Sequence, residues 1–200
     1  MSKLFTLSLE RVNCIFEEFQ EPGSDEMYLL GFGISKGGHR FTIRPLSMGS
    51  FSEGDTSGSG YPKTLVDIQV PDSESLVSTC IWLFERDSGG LANAGDQLEA
   101  DFNNYLNAFL TADANLGLSA DASLYYAFAK TMHLMEFSLA YEAYNWWNSD
   151  DVLDHLYHDH LPVDPIGRTD TYERVFNGQG ATYALTFRYQ LAPAVIVVPD

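Results

Sequence analysis

Hydrophobic and polar residues alternate along LFTLSLERVNCIF (4–16), with Phe5, Leu7 and Leu9 on one side and Thr6, Ser8 and Glu10 on the other. A period of two predicts a half-buried strand, because successive side chains leave opposite faces. EEFQEPGSDE (17–26) breaks the pattern, with Pro22-Gly23 as turn chemistry. MYLLGFGIS (27–35) resumes it, and its two glycines predict a bulge or a close backbone approach. KGGH (36–39) reads as a tight turn into a strand over RFTIRPL (40–46), and a Gly/Ser-rich loop follows at 47–63. TLVDIQV (64–70) alternates again, PDSES breaks it, and LVSTCIWLF (76–84) is apolar enough for a strand buried on both faces. Short strands with turn signals between them predict a sandwich or barrel.

The period then changes. GDQLEADFNNYLNAFLT (95–111) sets Leu98, Phe102, Tyr105, Leu106 and Phe109 at helical spacing, with Asp96 as N-cap. A longer helix is expected from Ser119, its core face carrying Leu124, Phe128, Met132, Met135, Leu139 and Trp146. The two segments read as a helical hairpin. Phe137, Tyr141 and Tyr144 form a second apolar stripe, which faces either the partner helix or another molecule. The polar stretch 148–170 is expected to hold a short helix from Ser149. TYERVF (171–176) and TYALTFRYQLA (182–192) return to strand character, and Asn177-Gly178 between them is a hairpin signal. The expected whole is one α+β domain: an antiparallel β-sandwich from strands in 4–92 and 171–198, with an inserted α-helical hairpin in 95–160.

Composition narrows the partners. The 200 residues carry 11 Lys+Arg against 28 Asp+Glu, a net charge of −17. Nucleic acids and anionic lipids need clustered cations, so neither is an expected partner; divalent cations and basic proteins are. The same surface also serves plain solubility. No signal peptide is evident at the N-terminus, and no run of about 18 uncharged apolar residues spans a membrane. A cytoplasmic chain, or one exported without a Sec signal, is expected. Cys14 and Cys80 lie in predicted strands and are expected as reduced thiols, bridging only if those strands are neighbours.

Two acidic breaks fall at strand ends: Glu17, Glu18, Glu21, Asp25 and Glu26 in the first, and Glu85, Asp87 and Asp96 in the second. Ca2+ takes six to eight oxygen ligands from loops of this kind. Glu85 and Asp87, two apart, share a side if the strand runs that far, and Gly89-Gly90 frees nearby carbonyls. GSDEMYLLGFGI (23–34) and WLFERDSGGLANAGD (82–96) resemble two loop-and-strand segments of calcium-dependent C2 domains. That resemblance covers about residues 4–96 and extends to 182–192, and it implies a C2-like eight-stranded sandwich with both loops at one end sharing Ca2+. It assigns ligands to Asp25, Glu85, Asp87 and Asp96, with Glu21 standing for an earlier loop acid. It also implies membrane docking bridged by Ca2+, which a charge of −17 opposes. The chain departs from the family pattern at Glu26, where proline is usual, at Glu85, where aspartate is usual, and in its helical insertion.

DHLYHDH (154–160) groups His155, His158 and His160, residues suited to a transition metal, although H-x-x-H-x-H is not a zincin spacing. No nucleophile elbow, phosphate loop or dinucleotide motif is present. The leading expectation is a non-enzymatic Ca2+-binding interaction module that oligomerises or binds a protein partner through Phe137, Tyr141 and Tyr144. The alternatives are a metal-dependent enzyme built on the three histidines, and a secreted toxin or pore component whose helical hairpin rearranges.

Overall fold

The computed structural model of the chain describes residues 2–17, 25–85, 94–114, 120–145, 151–152, 157–178 and 180–194. The strands are β1 (Ser2–Glu17), β2 (Asp25–Ser35), β3 (Arg40–Phe51), β4 (Lys63–Pro71), β5 (Leu76–Glu85), β6 (Asp151–Val152), β7 (Tyr157–Pro162), β8 (Thr169–Gly178) and β9 (Ala181–Pro193). The helices are α1 (Gly95–Ala114) and α2 (Ala120–Asn145).

All pairings are antiparallel. Sheet A runs β4-β1-β9-β8, and sheet B runs β3-β2-β5, with β6 and β7 in succession along the free edge of β5. Alternation along each strand places the layers. Leu7, Leu9, Leu29, Ile43, Ile81, Leu83, Leu185 and Phe187 fill the space between the sheets. The other face of sheet B (Leu30, Phe32, Ile34, Cys80, Trp82, Phe84) is covered by Leu98, Phe102 and Leu106 of α1 and by Phe128, Met132, Met135 and Leu139 of α2. β5 is therefore buried on both faces, as its unbroken apolar run requires. The fold is an α+β, three-layer antiparallel β-sandwich with an inserted helical hairpin.

Phe102 is the centre of the outer layer, 4.8 Å from the Phe32 ring and 6.2 Å from the Phe128 ring. Gly31 and Gly33 allow close approaches: a Cβ on Gly31 would reach 2.5 Å from the Cys80 carbonyl oxygen, and one on Gly33 would collide with the Phe41 ring. Cys14 lies between the sheets and Cys80 lies under the helices, so the two unbridged thiols belong to different layers. Burial, and then the nearby charges of Asp159 and Glu136, push the Cys80 thiol well above its usual range.

Two expectations are corrected. Within the described residues α2 runs to Asn145, and the described part of 148–162 forms β6 and β7 rather than a short helix. The free edge of β5 decides this, because ladder bonds from Leu76 to Ile81 draw Tyr157–Pro162 into the sheet. β3 also continues five residues past the predicted Leu46, through the Gly/Ser-rich stretch, because Asp25–Tyr28 of β2 supply partners and Gly49 (φ 114°) absorbs the register shift.

Candidate functional site

The acidic end of sheet B is built by register. Met27 pairs with Glu85, so β2 begins where β5 ends, and the two acidic breaks open at the same end of the sheet. Asp25 opens β2 with its backbone opposite Phe51, and Glu26 stands exposed opposite Ser50. On its other flank Glu85 faces Asp151, the first residue of β6. Asp151 is an acid that sequence reasoning missed, since only the β5–β6 pairing carries it there. The turn after β3 adds exposed Glu53 and Asp55 at this end, and Asp55 accepts a hydrogen bond from Ser52 N at 2.9 Å. Glu21 and Asp87 lie outside the described residues.

Asp96 is placed differently. It sits in the first turn of α1, exposed, with Oδ1 3.0 Å from Arg44 Nη1, while Arg44 Nη2 reaches Glu99 at 3.0 Å. Arg44 belongs to the middle of β3, so Asp96 is held several residues along the sheet from Asp25. Among the described residues, no three His, Cys, Asp or Glu side chains converge to hold a metal.

Of the histidines, His155 lies outside the described residues, and His158 and His160 occupy β7 positions opposite Cys80 and Ser78. His160 Nδ1 is 3.0 Å from Ser78 Oγ and 2.6 Å from the Tyr125 hydroxyl of α2. Phe137 is 64% exposed on α2, and Tyr126 is 60% exposed. Phe137 therefore faces away from α1, which settles the direction of the second stripe at that position. Tyr141 and Tyr144 follow on the same helix, with side chains outside the described part.

Four buried charged groups among the described residues escaped the sequence reading; Asp113 on α1 is held by Lys130 of α2 at 2.8 Å, and the other three tie elements of the sandwich together. Lys3 donates from Nζ to the Glu74 and Val163 carbonyl oxygens at 2.9 and 2.7 Å, with Asp164 at 3.6 Å. Glu74 accepts from Ser35 Oγ at 3.1 Å and from Gly37 N at 2.7 Å, clamping the β2–β3 turn. Asp159 pairs with Arg174 across the open side of the sandwich, joining β7 to β8. Each sits in a stretch whose polarity reads as a break or a surface, and only the long-range contact shows its burial.

The chain matches no protein-family model and no curated protein. Among solved structures it is similar to human GIVD cytosolic phospholipase A2, in a complex with methyl gamma-linolenyl fluorophosphonate inhibitor and terbium chloride. The TM-score is 0.39 and the identity 6%, over 97% of this chain and 18% of that one. A likeness at that level bears on neither cofactor nor activity.

Proposed function

We propose that the chain is a non-enzymatic, C2-like binding module that takes Ca2+ at the acidic end of sheet B and contacts a protein partner, or a second copy, through the outer face of α2. The observation that supports this most is the Met27–Glu85–Asp151 register, which opposes two acids at the end where both acidic breaks begin. Like charges directly opposite each other in a ladder destabilise it, and a bound dication relieves that repulsion. The donor set fits Ca2+, a hard ion served by carboxylate and carbonyl oxygens. Asp25, Glu85, Asp87 and Asp151 would hold it, with Glu21 as a further carboxylate. Asp96 would join only by leaving Arg44. Bound calcium would neutralise the end of the sheet and fix the loops there.

The exposed Phe137 supports the partner face. Among the described residues, no helix is long and apolar enough to cross a membrane, and lipid contact in this reading runs through bridging Ca2+ alone.

Thermal denaturation in Ca2+ against chelator tests the first half. Calcium at about a hundredfold over its Kd adds about 2.7 kcal/mol, and an unchanged Tm overturns the calcium reading. Sedimentation of the wild type against Phe137→Ser tests the second half. Loss of an oligomer, or of a co-sedimenting partner, is expected, and identical profiles remove the α2 face.

A further inference from the structure

A cavity of about 320 Å3 lies between sheet B and the N-terminal half of α2, at the end of the sheet opposite the acidic breaks. We propose that it binds a small neutral alcohol, with the apolar body inward and the hydroxyl against Ser78 and Tyr125. Protein interiors leave few voids larger than a water molecule, and voids lined by apolar side chains take apolar guests. The volume lies at the lower end of the range for small-molecule sites. Ile34, Leu76, Leu124 and Phe128 supply the walls, and Ile34 and Phe128 belong to the core layer beneath the helices. These walls stand on β2, β5 and α2, so regular elements hold the shape.

The lining has no charge to spare. Among its described residues there is no carboxylate, in a chain with 28 acidic residues, so an ammonium finds no counter-charge. Glu74, next to Ser75 in the chain, does not line the cavity, and its two oxygens already accept hydrogen bonds from Ser35 and Gly37. Lys36 does line it, but Lys36 already has a partner. A carboxylate would have to take the lysine from that partner, against the field of a chain with a net charge of −17. Bringing an unpaired charge in from water is costly, and a neutral guest avoids that cost.

Hydroxyls set the head group. Ser78, 5% exposed, and Tyr125 both line the cavity, and both meet His160 Nδ1, at 3.0 and 2.6 Å. A ring nitrogen offers one lone pair or one hydrogen, while each hydroxyl offers one hydrogen and two lone pairs. The bonds to His160 therefore leave hydrogen-bonding capacity on both oxygens. An alcohol matches it, because one atom of the guest both donates and accepts.

This site stands apart from the acidic end. Seven residues of β2 separate Met27 from Ile34, which is about 23 Å of strand. A failure of calcium binding therefore leaves it untouched.

Titration of the full chain with 1-octanol, octanoate and octylammonium, followed by calorimetry and amide chemical shifts, tests the proposal. Octanol is expected to bind saturably at one site, with the largest shifts around Ile34, Leu76 and Tyr125, and each ion at least about tenfold more weakly. The double variant Ser78→Ala/Tyr125→Phe should weaken octanol about fivefold, the loss of one neutral hydrogen bond. Leu124→Trp and the surface variant Ser75→Trp should each block binding while the fold, read by Tm, is kept. Should a variant fail to fold, the wild-type shift map still decides the location. The proposal is overturned by absence of saturable octanol binding, by either ion binding as tightly, or by shifts centred away from these residues. Undiminished octanol affinity in the double variant, or in both tryptophan variants, overturns it as well.

Discussion

Glu85, the last residue of β5, stands directly opposite Asp151 of β6, with Met27 on its other flank. Two acids placed across a ladder rung repel, by about 0.2–1 kcal/mol. Glu85→Gln should therefore stabilise the calcium-free chain by an amount in that range and shrink the rise in Tm that calcium produces. Urea unfolding in chelator and in Ca2+ reads both quantities. If neither moves, Glu85 is not a ligand and the repulsion is already screened.

Asp159 and Arg174 fasten the side of the sandwich where β7 of sheet B meets β8 of sheet A. Asp159 Oδ1 accepts from Arg174 Nε at 2.9 Å, and the Arg174 guanidinium lies 5.0 Å from the Tyr172 ring centroid. Asp159 is 4% exposed and among the described residues Arg174 is its cationic partner, so the charge of this carboxylate depends on Arg174. Arg174→Met is expected to cost up to about 3 kcal/mol, the low end for orphaning a buried charge. The low end applies because the arginine side chain is itself 32% exposed. The double variant Asp159→Leu/Arg174→Met should recover most of that loss, since neither charge is then stranded. A double-mutant cycle by urea denaturation measures it, and additive losses would show that the pair contributes no coupling.

Gly33 and Gly58 separate packing from backbone freedom. A Cβ at Gly33 would strike the Phe41 ring, while one at Gly58 meets nothing within 4 Å among the described residues. Gly33→Ala is expected to destabilise by about 1–3 kcal/mol, the cost of overpacking. Gly58→Ala should be neutral or stabilise by up to about 1 kcal/mol through the unfolded chain. Similar effects of the two substitutions would mean that β2 shifts to accept a methyl group.

The elements that periodicity could specify were legible in the sequence. Leu7/Leu9 alternation gives β1, the Leu98–Phe102–Leu106 spacing gives α1, and the two-sided apolar run at 76–84 gives β5, buried between the inter-sheet core and the helices. Gly31 and Gly33 announced close approaches, and Asn177-Gly178 announced the β8–β9 hairpin. What periodicity could not show is anything that depends on a long-range partner. Tyr157–Pro162 has no apolar alternation and becomes a strand because β5 has a free edge. Glu74, Lys3 and Asp159 are buried by contacts 71, 160 and 15 residues away in the chain, which local pattern does not encode. The candidate site divides along the same line. Its acids are visible one by one, but the opposition of Glu85 to Asp151, and the pairing of Asp96 with Arg44, arise only from register and helix placement.

Tyr61 gives the fold an alkaline limit. Its half-buried phenol donates to the Met48 carbonyl oxygen at 2.8 Å, and burial pushes its pKa up to about 12. In the unfolded chain a tyrosine loses its proton near pH 10. Between about pH 10 and 12 the folded protein keeps a proton that the unfolded chain has released, so unfolding releases a proton and stability falls as pH rises. The contribution is whole below about pH 10 and gone above about pH 12. Tyr172, raised chiefly by burial, and Tyr189 act in the same direction. Wild-type urea midpoints should therefore decline through this window, and Tyr61→Phe, which cannot titrate, should decline less steeply from a lower starting value. Parallel curves for the two proteins would show that the Tyr61 phenol is as well hydrated in the folded state as in the unfolded one.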